Sequence, residues 1–233
     1  MKPIDLDHNP LWYASLQWVG LCFFPVALAA FVLLFDFSGL TVWSFFAFVL
    51  GGLAADFVSG LVHWWLDTWG KASWPVIGRS LIRPFRQHHI DPLAMTTQSL
   101  GEINGTLFGL SGLTLCVLYL GGEAFALSLD LQFGIFVFVF YSAFTNWIHQ
   151  SAHHPNPNSV YRLLSGLHLV LKSKKHNEHH SQGFSSSYCI STGWLNPFLN
   201  RVRFFRHAES FVSAITGMRP RDDEEFYLRL HKG

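Results

Sequence analysis

Long stretches without a charged side chain constrain the fold of this chain more than any other feature. Each contains an apolar run close to the ~20 residues that a transmembrane helix needs. Only 13% of all residues are charged, against about 25% in soluble proteins. No Asp, Glu, Lys or Arg lies between Asp7 and Asp36, between Asp36 and Asp56, between Glu102 and Glu123, or between Asp130 and Arg162. The sequence therefore predicts an all-α integral membrane protein with four transmembrane helices, at about residues 11–35, 41–65, 103–120 and 131–148.

Several other classes of protein are disfavoured. The first apolar run is too long for a cleaved signal peptide, and only Lys2 precedes it. Cys22, Cys116 and Cys189 form no C-x-x-C pair, so we expect neither a disulfide framework nor a zinc-thiolate site. There is no basic run with interleaved aromatic residues, so no nucleic-acid partner is expected. Without an internal repeat, we expect residues 1–233 to form a single membrane-embedded domain.

The basic residues predict the orientation in the membrane. All 16 Lys and Arg fall at Lys2, in the connection 71–86, or from Arg162 onward. Because cytoplasmic loops carry an excess of Lys and Arg, both termini and this connection should be cytoplasmic. The membrane would be the endoplasmic reticulum in a eukaryote and the inner membrane in a bacterium. Every histidine from 63 to 180 then lies near the cytoplasmic face, where we expect a histidine-rich cap of short helices.

Histidines are concentrated between residues 148 and 188. Spacings of three and four residues place side chains on one face of a helix, so His149 can meet His153, and His176 can meet His179 and His180. Imidazole suits iron, copper, zinc and nickel. Two such clusters predict a metal site. Seven of the 13 histidines lie in this stretch: His149, His153, His154, His168, His176, His179 and His180.

Two stretches earlier in the chain add candidate residues for the metal site. Asp56, Gly60, His63 and Asp67 share one stripe of the second predicted span. Ionisable residues at membrane depth usually face a functional interior, although Asp56 is equally compatible with a hydrogen bond to a neighbouring helix. The Asp91-Pro92 pair predicts a helix start, so the preceding 88–89 histidine pair should end a short helix. A surface position for that pair stays open.

The number of histidines favours two metal ions. Nine exceed the four ligands of a tetrahedral zinc, whereas two octahedral ions offer roughly twelve positions and leave about three for water, a carboxylate or oxygen. The zinc-protease motif H-E-x-x-H is absent, because Glu178 follows Asn177. A haem protein would need axial histidines within the spans, and a metal transporter would need ligands at mid-membrane. The predicted ligands are His63, His88, His89, His149, His153, His168, His176, His179 and His180.

Some neighbouring residues receive other roles. Asp67, Asp91 and Glu102 are predicted to accept hydrogen bonds from metal-bound histidines or to balance charge, and Asp67 is also a candidate ligand. His154 points about 100 degrees away from its neighbour on a helix, and a surface role suits it at least as well. Residues 161–171 predict an amphipathic surface helix that carries His168. The histidines outside every cluster should be dispensable: His8, His207 and His231.

Six stretches of the sequence resemble one family of proteins. They occur in the order of that family, from Asp56 to Asp223. The histidine boxes are similar to those of membrane fatty-acyl desaturases and hydroxylases, and the chain more narrowly resembles the Kua family, the plasmanylethanolamine desaturases. I-D-P after His89, His168 itself and T-G-W-L-N favour this branch over a related plant acyl-chain desaturase. The stretches are D-F-V-S-G-L-V-H-W-W-L-D-T, F-R-Q-H-H-I-D-P, N-W-I-H-Q-S-A-H, K-H-N-E-H-H, Y-C-I-S-T-G-W-L-N and T-G-M-R-P-R-D-D.

The resemblance implies a reaction and its cofactors. It implies two non-haem irons, O2 as co-substrate, and an external electron donor of the cytochrome b5 or ferredoxin type. The substrate would be a 1-O-alkyl ether phospholipid, whose alkyl chain becomes the vinyl ether of a plasmalogen. Arg201 and Arg203 are candidates to attract its phosphate, against the alternative of ordinary membrane anchoring. The sequence leaves two alternatives: an acyl-chain desaturase or lipid hydroxylase with the same boxes, and a metal-storing or metal-transporting membrane protein.

Overall fold

The computed structural model describes residues 11–181 and 184–221. Within these ranges the regular structure is helical, with short 3-10 turns at Phe37–Gly39 and Ala94–Thr97 and a π-helical turn at Gly78–Ile82. The predictions for Lys2, His8, His231 and the C-terminal residues lie outside the described residues. The α-helices are α1 (Leu11–Leu34), α2 (Trp43–Thr68), α3 (Arg83–Ile90), α4 (Leu100–Ala124), α5 (Leu129–His153), α6 (Ser159–Gly166), α7 (Ser173–Ser181), α8 (Asn196–Arg201) and α9 (Phe204–Thr216).

Four of these helices confirm the predicted transmembrane segments. α1, α2, α5 and residues Leu100–Gly122 of α4 are long and apolar enough to cross a membrane. Three of them extend further than predicted: α2 continues to Thr68, α4 to Ala124 and α5 to His153. The reason is that backbone hydrogen bonding continues after the apolar run has ended. With 26 residues, α2 is about 39 Å long and exceeds the ~30 Å hydrocarbon core.

The long helices pack side by side in the order α1, α4, α5, α2. Glycines allow the close approach of α1 to α4: a Cβ atom on Gly20 would overlap the backbone carbonyl of Gly105. Phe24 stacks on Phe108 at the same interface, with ring centroids 4.8 Å apart. Because α2 and α5 are neighbours, their polar ends lie together.

The turns at the opposite ends of the spans are joined by Asp130. Its carboxylate accepts hydrogen bonds from the Thr41 backbone N–H, at 3.0 Å, and from the Thr41 hydroxyl, at 2.6 Å. Asp36 similarly accepts from the backbone N–H and hydroxyl of Ser38. These contacts tie the turn before α2 to the start of α5, far from the histidines.

Arg86 fixes α3 against the end of α2. It is buried, and its guanidinium donates to the backbone carbonyls of Leu66, Trp69 and Gly70 at 3.2–3.3 Å. The last carbonyls of a helix have no partner within the helix, so Arg86 satisfies groups that α2 leaves open. This contact holds the histidines of α3 beside those of α2.

The predicted surface helix over residues 161–171 is wrong in its second half. α6 begins after the Asn158 cap and ends at Gly166. The backbone N–H of Leu169 then bonds to the Leu164 carbonyl at 3.0 Å. His168 has a φ of 62°, which no right-handed helix contains. His168 therefore lies in the turn that terminates α6 and not on the helix.

Candidate metal centre

Two groups of potential metal ligands meet at the polar ends of α2 and α5. In each group, one ligand atom per residue lies within 4.8 Å of all the others. Eight of the nine predicted histidines are included, together with Asp67. The ligands come from α2, α3, α5 and α7. The five-histidine group contains His88, His149, His153, His176 and His180, and the aspartate group contains His63, Asp67, His89 and His179.

The five-histidine group is built around His176. Its Nε2 atom lies 2.8 Å from Nε2 of His149 and 2.8 Å from Nε2 of His153, and those two atoms are 3.3 Å apart. A neutral imidazole carries only one N–H, so three Nε2 atoms that all face one another cannot satisfy each other by hydrogen bonding. His88 Nε2 is buried in the same group without a hydrogen-bond partner. This donor set fits a cation at its centre.

The aspartate group converges on one carboxylate oxygen. Oδ2 of Asp67 lies 3.1 Å from Nε2 of His63 and 3.3 Å from Nε2 of both His89 and His179. Both Asp67 oxygens and His63 Nε2 are buried without a well-aligned hydrogen bond. A buried carboxylate is costly unless it is paired or binds a metal. Asp67 thus lies among the ligand atoms of this group, not behind them.

Backbone carbonyls orient two imidazoles of the aspartate group. Nδ1 of His63 lies 3.0 Å from the Tyr188 carbonyl oxygen, and Nδ1 of His179 lies 2.7 Å from the Ser186 carbonyl oxygen. A carbonyl only accepts, so each Nδ1 carries the proton and donates it. Each Nε2 is then left with a free lone pair, which is the usual arrangement of a metal-binding histidine.

Burial keeps four imidazoles of α3 and α7 neutral. It lowers the pKa of His179 to about 4. Burial together with the nearby His153 and His89 lowers the pKa of His180 to about 2. Burial also lowers the pKa of His88 and His176 well below the usual range. These side chains are therefore uncharged at neutral pH, as metal binding requires.

His168 is the one predicted histidine ligand that the structure does not bring to either group. Its side chain is exposed, and its Nε2 lies 2.8 Å from Nζ of Lys172. Its backbone carbonyl accepts a hydrogen bond from the Trp194 indole at 2.7 Å. His154, the doubtful ligand, is also exposed, and its Nδ1 accepts from the Asn156 backbone N–H.

Replacing His168 with alanine should leave the metal content unchanged, because its ring lies outside both groups. Inductively coupled plasma mass spectrometry on the purified protein measures this directly. His180→Ala provides the matched comparison, since that exchange removes a ligand and should lower metal content. Loss of an ion from H168A would restore His168 to the ligand set.

Two of the predicted supporting carboxylates cap helices instead. Asp91 is exposed and accepts from the backbone N–H groups of Leu93 and Ala94. Glu102 is exposed and accepts from the backbone N–H and hydroxyl of Ser99 at the start of α4. Neither contact involves a histidine, so the structure gives no support to their predicted roles at the metal.

Other contributors to the site were absent from the sequence-based prediction. Phe184 stacks on His89 with ring centroids 4.0 Å apart and planes 9° apart. Tyr188 packs edge-on against His63 and His179. The carbonyls of Ser186 and Tyr188 carry no signal in a sequence, because every residue has a carbonyl. Tyr188 lies in a stretch that the family resemblance does mark.

The fold has four helices long enough to cross a membrane and two histidine-rich groups at one end of them, as in the histidine-box class of membrane proteins. The profile of the lipid desaturase domain matches residues 52–223. The chain therefore belongs to the lipid desaturase family, and the resemblance predicted from the sequence is confirmed. The match begins within α2 and leaves α1 outside.

Curated relatives place the chain within that family. It is 39% identical to the plasmanylethanolamine desaturase of Myxococcus xanthus over 76% of this chain and 63% of that protein. It is 37% identical to plasmanylethanolamine desaturase 1 of Mus musculus over 76% of this chain and 67% of that protein. It is 28% identical to the chloroplastic fatty acid desaturase 4 of Arabidopsis thaliana, over 75% of this chain and 53% of that protein. The chain thus spans about two thirds of the first two relatives, and no solved structure matches it.

Proposed function

We propose that this protein is a membrane di-iron, O2-dependent desaturase that introduces the vinyl-ether double bond into 1-O-alkyl phospholipids. The observation that carries the proposal is the convergence of eight histidines and Asp67 into two groups within a lipid desaturase domain. The substrate class rests on the two relatives named plasmanylethanolamine desaturases. They share more identity with this chain than the plant fatty acid desaturase does.

The donor set suits iron. Eight imidazoles and one carboxylate would occupy nine of the roughly twelve positions of two octahedral ions. Bound iron would supply the redox chemistry with O2 that desaturation of an alkyl chain requires, whereas zinc has no redox chemistry. In the overall reaction the substrate loses two hydrogens, and O2 is reduced to water with two further electrons and protons. We propose an external donor of the cytochrome b5 or ferredoxin type for these electrons.

The residues of the chain hold and shield the metal ligands. His63, His149, His176 and His179 are at most 2% exposed, so these imidazoles are protected from bulk water. Hydrogen bonds from Nδ1 of His63 and His179 to backbone carbonyls fix which nitrogen faces the metal. We propose that this end of the spans faces the cytoplasm, because the basic connection and the basic C-terminal third lie on the same side.

Metal analysis separates an enzyme from a metal-storing or metal-transporting protein. Protein purified after expression in iron-containing medium should carry close to two irons per chain, with a Mössbauer spectrum of high-spin, nitrogen-rich sites. Zinc, or a single weakly held ion, would instead favour storage or transport. The same preparation of H153A, which lacks a ligand of the five-histidine group, should carry less iron.

A basic groove offers a place for the substrate phosphate. It has a volume of about 580 Å³, and Arg203, Arg206 and Asn200 line it together with Ser186. The Ser186 carbonyl also holds His179, so the groove adjoins the aspartate group. Arg201 is exposed but is not among the lining residues. We propose that Arg203 provides the phosphate contact and that Arg201 contributes to the surrounding positive charge.

Neutralising Arg201 and Arg203 together should raise the KM for the ether lipid by roughly tenfold, as expected for the loss of charge-assisted phosphate contacts. Iron content should stay at the wild-type level, because neither side chain contacts a ligand. Steady-state kinetics in lipid nanodiscs measure the effect, with R201Q alone as the milder comparison. An unchanged KM would leave both arginines as membrane anchors, and lost iron would show that they hold the structure of the site.

A further inference from the structure

An irregular segment between α7 and α8, residues 186–195, lies along α2. Cys189 packs on Gly60, where a Cβ atom would come within 2.6 Å of the cysteine sulfur. The Trp194 ring packs on Gly52, where a Cβ atom would come within 3.1 Å. Gly52 is eight residues before Gly60, or about 12 Å further from the histidine end of α2. Irregular backbone therefore reaches the depth of a membrane-spanning helix.

Irregular backbone at that depth needs partners from the protein itself. A membrane interior has no water to satisfy N–H groups, so such backbone is tolerated only where the protein satisfies it. Ser59 Oγ accepts from the backbone N–H groups of Ile190, at 3.1 Å, and Ser191, at 3.3 Å. The two carboxylate oxygens of Asp56 accept three further hydrogen bonds from backbone N–H groups: from Thr192 at 2.8 Å, Gly193 at 2.7 Å and Leu195 at 3.0 Å.

These contacts account for the polar residues within the second span. Asp56 and Ser59 are both buried. The sequence left open a hydrogen bond from Asp56 to a neighbouring helix, but its partners are the backbone of the 186–195 segment. Among the described residues, neither side chain is hydrogen-bonded to a member of the two metal-binding groups. Their hydrogen bonds lead to the site through the segment.

Within the described part of the chain, the segment is hydrogen-bonded to members of only one of the two groups. Its Ser186 and Tyr188 carbonyls accept hydrogen bonds from His179 and His63, which both belong to the aspartate group. Among the described residues, no imidazole of the five-histidine group is hydrogen-bonded to this segment. These two hydrogen bonds hold the orientation of two ligands of the aspartate group. The hydrogen bond of the segment to α5, between Ser191 Oγ and Thr145 Oγ1 at 2.7 Å, does not involve a ligand.

We propose that Asp56 and Ser59 are positioning residues that act through the 186–195 segment to orient His63 and His179. They thereby set the affinity of the aspartate group selectively. The inference rests on the proposed function only in requiring that each group holds a metal ion. It adds a role for residues that lie about one and two turns before His63 on α2.

Asp56→Asn tests this role with little change in shape. The amide oxygen can still accept hydrogen bonds, but the amide nitrogen would face one of the backbone N–H groups that need an acceptor. Full-length protein in nanodiscs, stripped of metal, is titrated with Co²⁺. Absorption bands and bound cobalt report the occupancy of both sites without requiring turnover. Ser59→Ala is a second, milder variant, which removes the acceptor for two N–H groups.

The wild type should bind two Co²⁺ ions. In D56N the affinity of one site should fall about 10-fold or more, the loss typical when a hydrogen-bond partner of a ligand is disturbed, while the other site is unchanged. S59A should show a smaller loss at the same site. Amide hydrogen exchange over residues 187–195 should accelerate in both variants. Asp130→Asn is the matched control, because Asp130 also accepts from a backbone N–H but lies at the opposite ends of the spans.

Equal weakening of both sites, or no weakening of either, in D56N and S59A would overturn the proposal. The proposed function fails separately: a wild-type protein without iron or without a vinyl-ether product would contradict it, whatever the cobalt titration shows. Selective loss of one cobalt site in that case would still establish the positioning role.

Discussion

Replacing His153 with alanine should abolish desaturation and lower the iron content of the purified protein. Its Nε2 lies 2.8 Å from Nε2 of His176 and 3.3 Å from Nε2 of His149, at the centre of the five-histidine group. Loss of the hydrogen-bond partner of a metal ligand typically lowers metal affinity or activity by 10–100-fold. Loss of the ligand itself should reduce turnover by more than about 100-fold. Iron analysis and product formation on the same preparation measure both effects.

His154→Ala is the matched control for that exchange. His154 adjoins His153 in sequence, but it is exposed and lies outside both groups. The H154A protein should keep its iron and its activity. If H153A also retains both, the assignment of the five-histidine group is wrong.

Asp67→Asn should remove the ion held by the aspartate group. The exchange preserves size but replaces the charged oxygen that three Nε2 atoms approach within 3.3 Å. The buried imidazoles would then lack the negative charge that favours a cation between them. We expect about one iron per chain in place of two. Turnover should fall by more than about 100-fold, because losing a ligand should cost more than losing the hydrogen-bond partner of a ligand. Metal analysis and lipid product formation measure the two consequences.

Asp91→Asn controls for the general effect of removing a carboxylate near the histidines. Asp91 follows α3 directly, but it is exposed and bonds only to backbone N–H groups after that helix among the described residues. D91N should retain both ions. Wild-type iron and turnover in D67N would remove Asp67 from the site.

The transmembrane helices could be predicted because a membrane-spanning segment contains few or no charged residues. A charge within the bilayer is costly, so charge-free windows locate spans even where periodicity is weak. The ends of α2 and α5 were predicted too early, since the helices continue into polar sequence that the protein itself buries. That continuation carries the ligands: Asp67 lies in the last turns of α2, and His149 and His153 in the last turns of α5.

Spacing brought candidate ligands together in part where they share a helix, since His179 of α7 joins the aspartate group and not the group of His176. His176 and His180 of α7 follow the predicted spacing and meet in one group. His168 lies outside both groups, because α6 ends at Gly166 and the turn that follows leaves its side chain exposed. Asp91 and Glu102 were predicted to support metal-bound histidines, but acidic side chains at helix ends bond readily to local backbone N–H groups.

Contacts between distant parts of the chain could not be predicted from spacing. Asp56 bonds to Thr192, which is 136 residues away. Arg86 is counted among the basic residues of a cytoplasmic connection, yet it is buried against the end of α2. The division of the ligands into two groups also depends on how four helices meet. Of the nine histidines predicted as ligands, eight lie in the two groups, but the sequence gives no indication of how they divide between them.

Lipid mass spectrometry in a plasmalogen-free host tests the proposed function most directly. Cells that express the protein and contain 1-O-alkyl phospholipids should accumulate acid-labile species lighter by two hydrogens, and cells expressing H153A should not. The double bond should lie next to the ether oxygen. New double bonds confined to acyl chains, hydroxylated lipids, or an unchanged lipid profile despite iron-loaded protein in the membrane would contradict the assignment as an ether-lipid desaturase.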